Sequence, residues 1–216
     1  MEIEITDVRV IEQGDRLFRP VNDFMIVTAA ILQATSLFVE ASTHKSKRPG
    51  ARLDSKQGDR AIVIPLRSPL EHALADTLPD RLEIGFVPNG FLPDEPHEKP
   101  PHKSNGFRDA TLSITSMLYL SLFERQVPWL TANVSTDRNK WGPIPCFGRM
   151  LRNAAAHEGR LSMDNPNTPA VSWKHLTYGP PDNGRQILGG DLNIADLLFF
   201  MFDLSDELDR LGAPHL

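Results

Sequence analysis

The sequence predicts a mainly α protein. It reads as a single helical domain over residues 1–216, a bundle with a small β-hairpin or meander inserted between a motif helix and the C-terminal helix. Three observations predict this class. Apolar residues recur at alternating three- and four-residue spacing in several long stretches. Those stretches carry recognisable helix start and stop residues. Strand-like alternation is short wherever it occurs, and no repeat, low-complexity segment or linker divides the chain.

Taken in order, residues 2–11 alternate loosely through Ile3, Ile5, Val8 and Val10, as a short strand or arm does. A helix is expected from Asn22 or Asp23, either a good N-cap, with Phe24, Val27, Ile31, Ala34, Phe38 and Ala41 on its core face. Residues 43–57 are polar and basic around Pro49-Gly50 and read as a solvated loop rather than a phosphate site. Residues 60–66 are a short apolar run of either type, interrupted by Pro65. Ser68-Pro69-Leu70-Glu71 forms a capping box for a helix stopped by Pro79, on which Glu71 and His72 are structural. Residues 88–103 are a Pro- and Gly-rich excursion; His97, Glu98 and His102 within it fit no zinc spacing. The next helix covers residues 107–125, is apolar almost all round, and is broken at Pro128.

Residues 145–159 are the motif helix. Pro143 and Pro145 suit a first turn, where a missing N–H costs nothing, and Gly159 suits the left-handed residue past a helix end. Phe147, Leu151, Ala154 and Ala155 share one face. At about 100° per residue, Arg149, Arg152, Asn153, Ala156 and His157 share the opposite arc. His157 is expected in the last turn, where the helix dipole favours a protonated imidazole.

Beyond it, residues 161–163, 170–173 and 186–188 read as short strands, separated by turns at residues 164–166 and 180–184. Trp173 reads as a packed side chain rather than a base-stacking platform. Asp191 is expected to cap the last helix, whose apolar face runs through Leu197, Leu198, Met201, Phe202, Leu208 and Leu211 to Gly212.

Arg152, Asn153 and His157 form an R-N-x-x-x-H pattern. On these residues the chain resembles the HEPN superfamily, all-α domains of which many members are metal-independent endoribonucleases. The resemblance implies a HEPN-like bundle, catalytic roles for Arg152, Asn153 and His157, and a homodimer in which the motifs of both chains meet. The roles fit the chemistry. RNA carries its own nucleophile, the 2′-hydroxyl. Histidine can move protons near neutral pH. Arginine can fork onto phosphate oxygens. One histidine is too few for separate acid and base, which is what a second copy supplies. Arg149 and Arg160 extend the arc as an RNA-binding strip. Such an endoribonuclease suits a toxin or phage-defence effector, with an antitoxin as partner. The alternative is a non-catalytic HEPN-like scaffold pairing with another protein, such as a nucleotidyltransferase.

Composition bounds these expectations. The chain is 40% hydrophobic and 24% charged, the balance of a soluble globular protein. Its net charge of -5 leaves RNA contact to a local basic patch. The single Cys146 excludes an internal disulfide and fits a reducing, cytoplasmic setting. No cofactor or metal is expected, and no stretch is long enough to span a membrane.

Overall fold

The computed structural model describes residues 6–40, 50–65, 72, 75, 77–89 and 106–215. They gather into two compact units, Met1–Thr111 and Leu112–Leu216. The sequence showed no linker because the boundary falls inside a helix. The architecture is mixed α and β, which corrects the mainly α, all-helical bundle.

The first unit contains a four-stranded antiparallel sheet. Strands β1 (Asp7–Glu12), β2 (Gly50–Asp54), β3 (Arg60–Pro65) and β4 (Arg81–Pro88) lie in the order β1-β4-β3-β2. Register is set by pairs such as Val10 with Glu83 and Ile62 with Phe86. In β4, Leu82, Ile84 and Phe86 are buried while Arg81 and Glu83 are exposed, the period-two signature of a strand. β2 lies in the stretch expected to be a loop, of which residues 43–49 fall outside the described part. As an edge strand it pairs on one side only, so it carries little apolar signal and keeps an exposed Arg52–Asp54 ion pair of 2.8 Å. Helix α1 (Phe18–Glu40) starts a turn before the expected cap, with Pro20 in its first turn. Asn22 is therefore buried inside it, on a face with Leu17, Phe18, Val21, Phe24 and Met25. The helix expected after Ser68 and the excursion at residues 90–103 lie largely outside the described residues.

The second unit holds most of α2 (Gly106–Asn133), then α3 (Pro143–Ala156), the hairpin β5 (Val171–Trp173) and β6 (Leu176–Tyr178), and α4 (Ile194–Arg210). Pro128 does not break α2. A proline removes one ladder hydrogen bond without reversing the chain, and here side chains serve neighbouring carbonyls: Thr131 Oγ1 donates to Val127 O at 2.8 Å. Aromatic rings from four elements meet in the core. Phe147 of α3 lies 5.4 Å from Phe200 of α4 and 5.8 Å from Trp173 of β5. Tyr119 of α2 meets Phe200 edge-on at 5.9 Å. Such pairs stabilise by about 0.5–1.5 kcal/mol beyond their area. Trp173 is thus a core residue, its indole N–H donating to Asp203 at 2.7 Å.

The hairpin turns at Lys174 and His175, with Lys174 in the left-handed region at φ 51°. Of the three stretches read as strands, the first and last meet through a single bridge, Arg160 to Gln186. The cap of α4 is Asn193, in a capping box with Asp196, rather than Asp191. Asp191 instead accepts from the Tyr178 hydroxyl at 2.9 Å and from Arg185 at 3.0 Å. Among the described residues no helix is long and apolar enough to cross a membrane.

Candidate functional site

Two glycines frame the motif helix. Gly142 caps its start at φ 93°, a conformation that L side chains resist, and Pro143 and Pro145 follow. At the other end the N–H groups of His157 and Gly159 both donate to Ala154 O, at 3.0 and 2.8 Å. Gly159 has φ 81°, and a Cβ there would lie 2.8 Å from Leu188 O. The chain must turn sharply at this point. Helical geometry ends at Ala156, so His157 is the C-cap, at φ -121° and ψ 48°, and not a member of the last turn.

That single step divides the expected site. His157 and Arg160 line a depression of about 450 Å³ with Ser162, Asp164 and Asn183. Arg149 and Asn153 line a second, of about 320 Å³, with Asn139, Asp164 and Asn165. Arg152 lines neither of these two hollows. Its Nε donates to a Glu124 carboxylate oxygen of α2, and its Nη1 lies 3.3 Å from Asn153 Oδ1.

The electrostatics of the three arginines differ. Arg152 is matched by a carboxylate. Arg149 donates to Asn139 Oδ1 at 2.6 Å and Arg160 to Gly184 O at 3.2 Å, both neutral acceptors. Among the described residues neither of these two arginines forms an ion pair. His157 is exposed, and its imidazole has no hydrogen-bond partner among the described residues. Cys146, beneath Arg149, is 8% exposed. Burial pushes its thiol upward, and the Trp141 and Gly142 backbone N–H groups and the Arg149 charge offset this only in part.

Glu124, Asp164 and Asn183 were not foreseen. Asn183 donates to Asp164 Oδ1 at 3.0 Å and accepts from Met163 N at 2.8 Å, tying two turns together. Both residues were visible only as turn formers. Glu124 left no signal at all, being 28 residues from its partner. Among the described residues no group of three or more His, Cys, Asp or Glu is placed to hold a metal ion; His97, Glu98 and His102 lie outside them.

No family model matches this chain, and neither a curated protein nor a solved structure does.

Proposed function

We propose that the chain is a metal-independent endoribonuclease of the HEPN type. The observation that carries this reading is His157, an exposed imidazole without a partner among the described residues, sharing a hollow with Arg160, whose guanidinium donates to the Gly184 carbonyl. In the proposed reaction a histidine takes the 2′-hydroxyl proton and the 2′-oxygen attacks the adjacent phosphorus. The bond to the 5′-oxygen breaks, and that oxygen takes a proton from the second histidine. The products are a 2′,3′-cyclic phosphate and a free 5′-hydroxyl. Arginine stabilises the phosphorane charge. Glu124 and Asn153 hold two nitrogens of the Arg152 guanidinium, which leaves Nη2 to reach a phosphate.

One histidine per chain is too few for separate acid and base, which favours a two-fold pair in which the second copy supplies the second proton carrier. An exposed stripe on α2 suits such pairing. Ser113, Met117, Ser121 and Glu124 fall on one face, all exposed, with Met117 69% so. The stripe ends at the Glu124–Arg152 ion pair and therefore adjoins the motif.

The test is cleavage of mixed single-stranded RNA in excess EDTA, with mapped product ends. Cyclic phosphate ends, no cutting of matching DNA, and loss of cutting in His157→Ala are expected. A 5′-phosphate product, loss on chelation or equal cutting of DNA would overturn the mechanism. A protein that stays monomeric at micromolar concentration by light scattering would overturn the shared site.

A further inference from the structure

The two depressions beside α3 do not stand alone. A third, of about 370 Å³, lies at the helix start between Gly142, Pro143, Ala170 and Ser172. Adjacent hollows share walls: Ser162 and Asp164 border the first and second, and Asn139 and Arg149 border the second and third. Together they make one trough along α3, from His157 back to Gly142. At 1.5 Å per residue that is about 20 Å, long enough for several nucleotides of an extended strand. The outer wall is the loop from Ser162 to Ser172, whose polar lining is the Asp164 carboxylate together with amide and hydroxyl groups.

The charges along the trough alternate. Arg160 stands at one end and Arg149 two turns up the helix, each facing a neutral acceptor. Between them Asp164 borders both hollows. Asn183 and Ser162 donate to its two oxygens, at 3.0 and 3.4 Å, and an ionised carboxylate has about four lone-pair sites, so accepting capacity is left. A carboxylate repels phosphate but accepts from a hydroxyl. The order cation, carboxylate, cation offers a strand two phosphate contacts with a hydroxyl acceptor between them.

We infer that this trough is a track for single-stranded RNA, in which Arg149 and Arg160 hold phosphates of different nucleotides and Asp164, between them, accepts a ribose 2′-hydroxyl. The inference rests on the ribonuclease reading for the identity of the polymer. It adds a binding path that does not include Arg152, and a second point, away from the scissile bond, at which RNA is told from DNA.

Binding can be separated from cleavage in a His157→Ala background. Fluorescence anisotropy with a labelled ten-nucleotide RNA and the matching DNA, over a range of salt, reads the track directly. Adding Arg149→Ala should weaken RNA binding about tenfold and lower the slope of log affinity against log salt by about 0.7, one phosphate's share for a single strand. Arg81→Ala, in the first unit, should change neither. Asp164→Ala should weaken RNA binding more than DNA binding and so narrow the RNA-over-DNA preference. Unchanged folding of each variant is checked by circular dichroism. If wild-type protein cleaves RNA and Arg149→Ala neither binds more weakly nor loses salt slope, the track is wrong and the nuclease stands. If Arg149-dependent RNA binding is found but no cleavage, the nuclease reading falls and the track stands. Equal binding of RNA and DNA in the parent overturns the assignment of Asp164, and no RNA binding at all overturns the track.

Discussion

Glu124 of α2 accepts from Arg152 Nε, and this ion pair is what orients the motif arginine. The two side chains are 43% and 39% exposed, so the pair adds little to stability, about 0–1 kcal/mol. Its effect on chemistry is expected to be larger, because a guanidinium off its line by about 1 Å can cost up to about 100-fold in rate. Glu124→Ala should unfold within about 1 kcal/mol of wild type in urea yet cleave RNA far more slowly, with Glu124→Gln between the two. Equal rates in all three proteins would make the pair an idle surface contact.

Gly148 sets how closely α3 approaches α2. A Cβ at this position would lie 2.7 Å from a Phe123 ring carbon and 3.2 Å from the Tyr119 hydroxyl. That hydroxyl donates to Gly148 O at 2.6 Å, so the Tyr119 ring cannot retreat without breaking a buried hydrogen bond, and Phe123 is itself fully buried. Gly148→Ala should destabilise by about 1–3 kcal/mol through overpacking, although alanine is the better helix former. Thermal unfolding decides it, and a variant that melts at or above wild type would show that the helices can part.

Much of the second unit was legible because its signals are local. The prolines, Gly159 and the three-and-four spacing of Phe147, Leu151 and Ala154 all report on one turn of chain at a time. The sheet of the first unit was not read, and the reasons are particular. Leu82, Ile84 and Phe86 alternate with Arg81 and Glu83, but the run is short and lies between a helix ended at Pro79 and the excursion that begins at residue 88. Arg52 and Asp54 belong to an edge strand whose pairing partner, not its composition, makes it a strand. At the candidate site the arc of Arg149, Arg152, Asn153 and His157 assumed that helical geometry continues to His157. It ends one residue earlier, and the Gly159 turn then sends His157 toward Arg160 and Asn183 instead. Tertiary partners such as Glu124 and Asp164 leave no mark at the motif's own spacing.

Glu207 carries a predictable acid dependence. Arg210 donates to both its oxygens at 2.7 Å, which holds the carboxyl below its ordinary range against the opposing effect of burial. The folded protein therefore binds this proton less readily than the unfolded chain. The contribution is complete above the ordinary glutamate value of about 4.3 and is lost as pH falls through the lower folded value. Glu207→Gln should melt below wild type at pH 7, with the gap closing in that acid window. A gap that stays constant down to the most acid buffer would mean the carboxylate's charge is not what stabilises α4's last turn.

Cys146 offers a chemical probe of the trough. Its Sγ–H donates to the carbonyls of Arg138 and Asn139, at 3.4 and 3.6 Å, and burial holds the thiol above its usual range. Only the thiolate attacks a disulfide reagent, so both access and ionisation slow the reaction. Native protein at neutral pH should react with a thiol-specific disulfide reagent roughly tenfold or more slowly than protein unfolded in urea. The native rate should climb as pH rises through the elevated thiol value, because the thiolate fraction grows while the hydrogen-bonded thiol is lost. The same sulfur lines two of the three hollows along α3. A bound strand should therefore slow the reaction further, whereas double-stranded DNA at the same phosphate concentration should not. A native rate equal to the unfolded one would mean that the helix start opens freely. Protection by RNA that survives Arg149→Ala would place the strand somewhere other than beside Cys146.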